Sequence, residues 1–236
     1  MIPQITTNGM LATQERAQSL FNAGCKEFQV SLEGHSPELS DPVRGKDSFE
    51  KILLGVANLK NTGAFVTLNI TISKQNYQYV KHIIALAEDV GVDILRLSAF
   101  IPFGTGDIDA SKFLLTRDIV IQVRETLAEA LKTTKVALES GVFLSNDEKV
   151  CGDTFGCGAG THNLIINTDL SLSACDILAE KQRTAPIKTV DDIEVMWKSH
   201  PLFNKWRGNT DDPFFAEVHQ HHCHLAYTKY GEDLFV

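Results

Sequence analysis

Phe65-Val66-Thr67-Leu68-Asn69-Ile70-Thr71-Ile72 is an apolar, β-branched run. After it come Val80, Ile83, Ile84 and Ala87 at helical spacing, and then a second strand-like run from Ile94 to Ile101. A run rich in Val, Ile and Thr favours the pleated conformation, whereas recurrence at every third and fourth residue places side chains on one face of a helix. The stretch therefore reads as strand, helix, strand.

The same alternation extends toward the N-terminus. Ile5 to Thr7 reads as the end of a strand, Thr13 as the cap of a helix running to Asn22, and Phe28 to Leu32 as a strand. After a polar loop, Phe49, Ile52, Leu53, Val56 and Leu59 recur at helical spacing, with Gly63 closing that helix. Strands alternating with helices imply a parallel sheet covered by helices, with the functional loops at the C-terminal ends of the strands. Those ends carry Thr7-Asn8-Gly9, Ser31-Leu32-Glu33-Gly34, Asn69 and Pro102-Phe103-Gly104.

Toward the C-terminus, 102–115 reads as a loop. Thr116 to Lys132 reads as a long helix with Ile119, Val120, Val123, Leu127 and Leu131 on its apolar side, and Val136 to Leu138 as a strand. The composition turns polar near Ser145, which sets the expected division into residues 1–145 and 146–236. In the second part, Leu164-Ile165-Ile166 and Leu170-Ser171-Leu172 flank Asn167-Thr168-Asp169 as a hairpin whose second strand leads to Cys175. Asp191 to His200 reads as a helix ended by Pro201, with a short second helix over Phe203 to Arg207.

The chain has 236 residues, 43% hydrophobic and 22% charged, which suits a folded globular protein. Its net charge of −8 and lack of a basic stripe argue against nucleic acid or an anionic lipid surface as partner. No apolar run approaches the roughly 20 residues that span a bilayer, and Met1 to Met10 lacks the pattern of a secretory signal, so a cytoplasmic location is expected. In a reducing compartment the five cysteines serve as metal ligands, catalytic groups or buried side chains rather than disulfides. Cys25, at the end of a helical segment, reads as a small buried hydrophobe.

Cys151, Cys157, Cys175 and Cys223 fall on a segment rich in turn signals, the last among His219, His221, His222 and His224. Thiolates on loops and hairpin ends can converge on one metal centre. Two centres fit such a set: an iron-sulfur cluster, or a closed structural zinc site of four cysteines or of three cysteines and one histidine.

The order of several motifs is more specific. Thr6-Thr7-Asn8-Gly9, Val30-Ser31-Leu32-Glu33-Gly34, Asp41-Pro42-Val43-Arg44-Gly45, Asn69-Ile70-Thr71 and Phe100-Ile101-Pro102-Phe103-Gly104-Thr105-Gly106, followed by Cys157-Gly158-Ala159-Gly160 and Cys175, resemble radical S-adenosylmethionine (SAM) enzymes with a SPASM or shorter twitch C-terminal domain. That family includes peptide-modifying and anaerobic sulfatase maturases. The resemblance implies an α/β architecture: a partial (β/α) barrel followed by a small cysteine-rich α+β module. It also implies one auxiliary [4Fe-4S] cluster on Cys151, Cys157, Cys175 and Cys223, and contacts to SAM from Ser31 and Arg44. A guanidinium fork suits a carboxylate, and a hydroxyl at a strand end can reach a sugar. The implied substrate is a peptide or protein.

One departure from the family pattern bears on activity. Such enzymes reduce SAM at a cluster held by Cys-x3-Cys-x2-Cys and hold its amine with Gly-Gly-Glu; the 236 residues contain neither. No radical chemistry is therefore expected of these residues alone, and no catalytic acid or base can be named. The expected arrangement is a shortened chain. A separate N-terminal half docking here, a homo-oligomer through the open barrel edge, and a partner-binding module without catalysis are the alternatives.

Overall fold

In the computed structural model the described residues are 2–144, 158–179, 181–216, 223–232 and 234. They fall into two compact units, Met1–Phe100 with Gly106–Glu148, and Ile101–Thr105 with Lys149–Val236.

The first unit runs β1 (Gln4–Thr7), α1 (Gln14–Asn22), β2 (Glu27–Leu32), α2 (Pro37–Arg44), α3 (Ser48–Asn61), β3 (Phe65–Ile72), α4 (Val80–Val90), β4 (Ile94–Ala99), α5 (Arg117–Ala130) and β5 (Ala137–Glu139). The strands form one parallel sheet in the order β1-β2-β3-β4-β5. Spatial order equals chain order, so right-handed crossovers carry every helix to the same face. That is the curvature of a (β/α) barrel, in contrast to a doubly wound sheet whose order reverses.

Burial along the strands agrees. Phe28, Val30, Leu32, Val66, Leu68, Ile70, Ile72, Leu95 and Leu97 are at most 1% exposed and lie on alternate positions. They pack under Ile52, Val56 and Leu59 of α3, Ile83 and Ala87 of α4, and Val120 and Leu127 of α5, all likewise buried. Each such leucine-sized side chain contributes about 1.5–3 kcal/mol. The intervening residues Gln29, Ser31, Asn69, Thr71, Arg96, Ser98 and Glu139 are only half-buried. Cys25 is buried, as its sequence context predicts.

Local differences from the sequence expectation have physical reasons. The segment read as a polar loop before α3 contains α2, which tolerates Pro37 because it occupies the first turn, where a backbone donor is not needed. Leu131 is 52% exposed because α5 ends at Ala130 and leaves it as the C-cap. Residues 102–115 are a loop containing two 3-10 turns, Gly104–Asp107 and Ala110–Lys112.

The second unit contains the antiparallel pair β6 (Ile165–Ile166) and β7 (Leu172–Ser173), then α6 (Asp191–Ser199), α7 (Pro201–Trp206), α8 (Pro213–Ala216) and α9 (His224–Tyr230). Pairing of Ile166 with Leu172 leaves residues 167–171 as the connection, longer than the sequence suggests. Leu170 there takes a left-handed φ of 64°. Pro201 both stops α6 and starts α7, and the His200 ring accepts from Leu202 N at 3.1 Å as the cap. Ala159, Leu172, Ala174, Phe203, Trp206 and Phe215 form the core. Arg207 clasps it by donating from Nε to Gly160 O at 2.9 Å while lying 4.7 Å from the Trp197 ring centroid.

Candidate functional site

The half-buried side chains of the sheet line up across the strands. Ser31, Asn69, Arg96 and Glu139 occupy one register row of β2, β3, β4 and β5. Strand alternation puts them on the face opposite the helices. Arg96 donates to Glu139 Oε2 at 2.9 Å and to the Gln29 side-chain oxygen, and Ser98 Oγ donates to Asn69 Oδ1 at 2.9 Å. A parallel sheet normally reads as continuously apolar because both faces are covered. Here one face is dry and the other is a polar lining, as in the interior of an open cylinder.

At the C-terminal rim of that lining, Glu33 continues the face of Ser31 just beyond β2. Arg44, the last residue of α2, donates from Nη2 to Glu33 Oε1. The pair is withdrawn from solvent, with side chains 13% exposed for Glu33 and 27% for Arg44. Burial pushes the Glu33 carboxyl above its usual range, while the neighbouring Arg44 guanidinium opposes that rise without cancelling it. Arg44 Nε is buried and has no hydrogen-bond partner among the described residues.

Two side chains fix this rim. Asn76, only 4% exposed, donates from Nδ2 to Glu33 O at 2.9 Å and to Thr71 O at 2.8 Å, and accepts from Ser73 N at 2.8 Å. It thereby ties the end of β2 to the end of β3. Asp41 of α2 accepts from Asp47 N at 2.8 Å, Ser48 Oγ at 2.9 Å and Phe49 N at 2.8 Å, joining α2 to the start of α3. These bonds favour the ionised form, so the Asp41 carboxyl titrates below its ordinary range, the Phe49 amide having the largest effect. The loop after β1 lies on the same rim, where Gly9 adopts φ 74° and its carbonyl accepts from Ala12 N at 3.0 Å.

Ser31 and Arg44, singled out from the sequence, thus lie at the rim, with Glu33 contacting Arg44 directly. From the sequence Glu33 reads equally as a polar strand end and as a cofactor contact, whereas nothing in it singles out Asn76, Asp41, Arg96 or Glu139. Alternation along β2 and β4 was the available signal for Arg96 and Gln29. The bond from Ser73 N is local, but the bonds that make Asn76 a clamp reach 5 and 43 residues along the chain. A ring cluster was missed as well: His35 stacks on His82 at 4.9 Å and lies 5.0 Å from Tyr79.

In the second unit, Cys175 follows the buried Ala174 beyond β7 and packs partly buried against the core, with Sγ 4.0 Å from Asp176 Oδ1. Cys223 is partly buried and is the N-cap residue of α9. Cys151, Cys157, His219, His221 and His222 lie outside the described residues. Among the described residues no group of three or more His, Cys, Asp or Glu side chains is assembled to hold a metal ion, and no helix is long and apolar enough to cross a membrane.

Residues 3–87 match the Radical SAM superfamily. Mycofactocin maturase MftC of Mycolicibacterium smegmatis is 33% identical over 209 residues, covering 86% of this chain and 53% of the relative. The AdoMet-dependent heme synthase of Methanosarcina barkeri is 25% identical over 225 residues, covering 86% of this chain and 62% of the relative. The chain therefore spans roughly half to three fifths of these curated relatives. In fold it is similar to Streptococcus suis SuiB bound to S-adenosylmethionine, with a TM-score of 0.70 at 14% identity over 98% of this chain and 57% of SuiB. SuiB has also been crystallised with its precursor peptide SuiA. The matched segment and the curated relatives thus make this chain similar to radical SAM proteins, and the SuiB likeness extends to the fold.

Proposed function

We propose that this chain forms the substrate-facing and SAM-carboxylate side of a radical SAM enzyme that modifies a peptide or protein. The observation that carries this reading is the gathering of Ser31, Glu33 and Arg44 at the C-terminal rim of the polar sheet face. A hydroxyl, a guanidinium with a buried unused donor and a water-poor setting fit the ribose and amino-acid parts of SAM. When bound and reduced, that cofactor supplies hydrogen-atom abstraction from substrate. Reduction requires a Cys-x3-Cys-x2-Cys loop that these 236 residues do not contain. A peptide is favoured as substrate by the maturase name of one relative and by the peptide-bound form of SuiB.

The C-terminal unit is proposed to carry one auxiliary [4Fe-4S] cluster on Cys151, Cys157, Cys175 and Cys223, in a SPASM or twitch-like module. Supporting this are the soft donor set and the seating of Cys175 against the second core. Anaerobic purification with iron, sulfide and zinc analysis is expected to give about four irons per chain, with most of the iron lost in Cys175→Ser. Stoichiometric zinc in a colourless protein would instead establish the structural zinc site.

SAM binding tests the rim. Arg44→Ala is expected to weaken SAM by roughly ten- to a hundredfold, since a hydrogen bond to a charged group contributes about 1.5–3 kcal/mol, and Ser31→Ala to weaken it less. Unchanged affinity in Arg44→Ala would overturn the assignment of this rim.

A further inference from the structure

We propose that Glu33 is a placeholder for the ligand carboxylate on Arg44: an amino-acid carboxylate arriving at the rim takes over the guanidinium, and the released Glu33 takes up one proton from solvent. The inference rests on the reading of this rim as a SAM site and adds to it a proton-coupled exchange.

The geometry carries it. Arg44 is the terminal residue of α2, followed by Gly45 at φ 105°, so its long side chain extends from a helix end and can turn. The Glu33 main chain is anchored, because Asn76 holds its carbonyl at 2.9 Å. The guanidinium is only partly used, since its buried Nε has no partner among the described residues. A second carboxylate can therefore engage a donor that Glu33 does not satisfy.

Once Arg44 turns to the ligand, Glu33 is left in a site 13% exposed without its counter-charge. A buried, unpaired carboxylate neutralises by binding a proton. Burial already holds the Glu33 carboxyl above its usual range with Arg44 in place, and pairing Arg44 with another anion raises it further. Arg44 on α2 is the charged group acting on Glu33. Asn76, which follows β3, meets the Glu33 backbone and is uncharged. On Glu33's own loop, His35 is stacked on His82 and Tyr79. Charge balances: one ion pair, one ligand carboxylate and one proton become a neutral carboxylic acid and a new ion pair, and the O–H bond of Glu33 is the one covalent bond formed.

Linkage fixes the sign. The complex binds more protons than the free protein between the two Glu33 pKa values, so affinity falls as pH rises through that window, by up to tenfold per pH unit. Calorimetric titration of the anaerobically prepared chain with SAM, in buffers of different ionisation enthalpy, reads proton uptake directly. Wild type is expected to take up nearly one proton more than Glu33→Gln. The variant, a neutral mimic of the protonated residue, is expected to bind tighter than wild type toward the high-pH side of that window, with a flattened pH dependence. Titrating both proteins cancels any proton exchanged by the SAM amine. Should Glu33→Gln not fold, difference infrared spectroscopy of wild type provides the same test, as a protonated-carboxyl band that grows on SAM binding. Equal proton uptake in both proteins, or no such band in wild type, overturns the exchange while leaving the SAM site intact. Absence of SAM binding to wild type overturns the site itself and the exchange with it.

Discussion

Gly55→Ala is expected to destabilise the first unit by about 3 kcal/mol, the upper part of the range for overpacked sites. Helix propensity alone predicts the opposite sign, since alanine inside a helix is favoured over glycine by about 1 kcal/mol. Packing wins because a Cβ at position 55 would lie 2.2 Å from the Gly9 carbonyl oxygen, a backbone atom with no rotamer to change. That carbonyl is held in a turn by Ala12 N at 3.0 Å, and Asn58 one turn further along α3 donates to Ala12 O at 2.8 Å. Relief requires α3 to move off the loop after β1. Thermal melting is expected to drop by roughly 6–12 °C, taking about 2–4 °C per kcal/mol for a chain of this size. A melting temperature within about 1 °C of wild type would show that α3 does not sit on that loop.

Asn76→Ala is the second large effect. Three hydrogen bonds from a buried side chain disappear together, and the Ser73 amide and the Glu33 and Thr71 carbonyls lose their partner. At about 1 kcal/mol per neutral hydrogen bond the loss is about 3 kcal/mol. Asn76→Asp keeps the bond from Ser73 N but directs a carboxylate at two carbonyl oxygens, so it is expected to be at least as damaging as alanine. A role as rim clamp makes a further demand: in urea titrations the variant loses stability, and at temperatures where it remains folded it also binds SAM more weakly. Lost stability with wild-type SAM affinity would confine Asn76 to the scaffold.

The strand and helix alternation of the first unit was legible because each element writes its own period. Phe65–Ile72 was read to the residue, and Thr13 was identified as a cap, which it is, accepting from Arg16 N at 3.3 Å. α2 was not legible, since its two prolines suppress the helical signal locally while Pro37 in fact starts the helix. The site was half legible. Ser31 and Arg44 stand out by motif, but Arg44 meets Glu33 across 11 residues through the fold-back of α2, and Arg96 meets Glu139 across 43 through the sheet register. In the second unit, the hairpin was visible from its two apolar runs. The five-residue connection was not, because Thr184 pairs with Leu172 in both directions and draws the second strand past the expected turn.

The two-sided character of the sheet separates what evolution must hold from what it can change. Residues that keep the protein folded point toward the helices, while Gln29, Asn69, Ser98 and Glu139 point away from them. Descendants of this sequence can therefore exchange the second group without repacking the first, so the chemistry of the lining and thermal robustness can drift independently along one lineage.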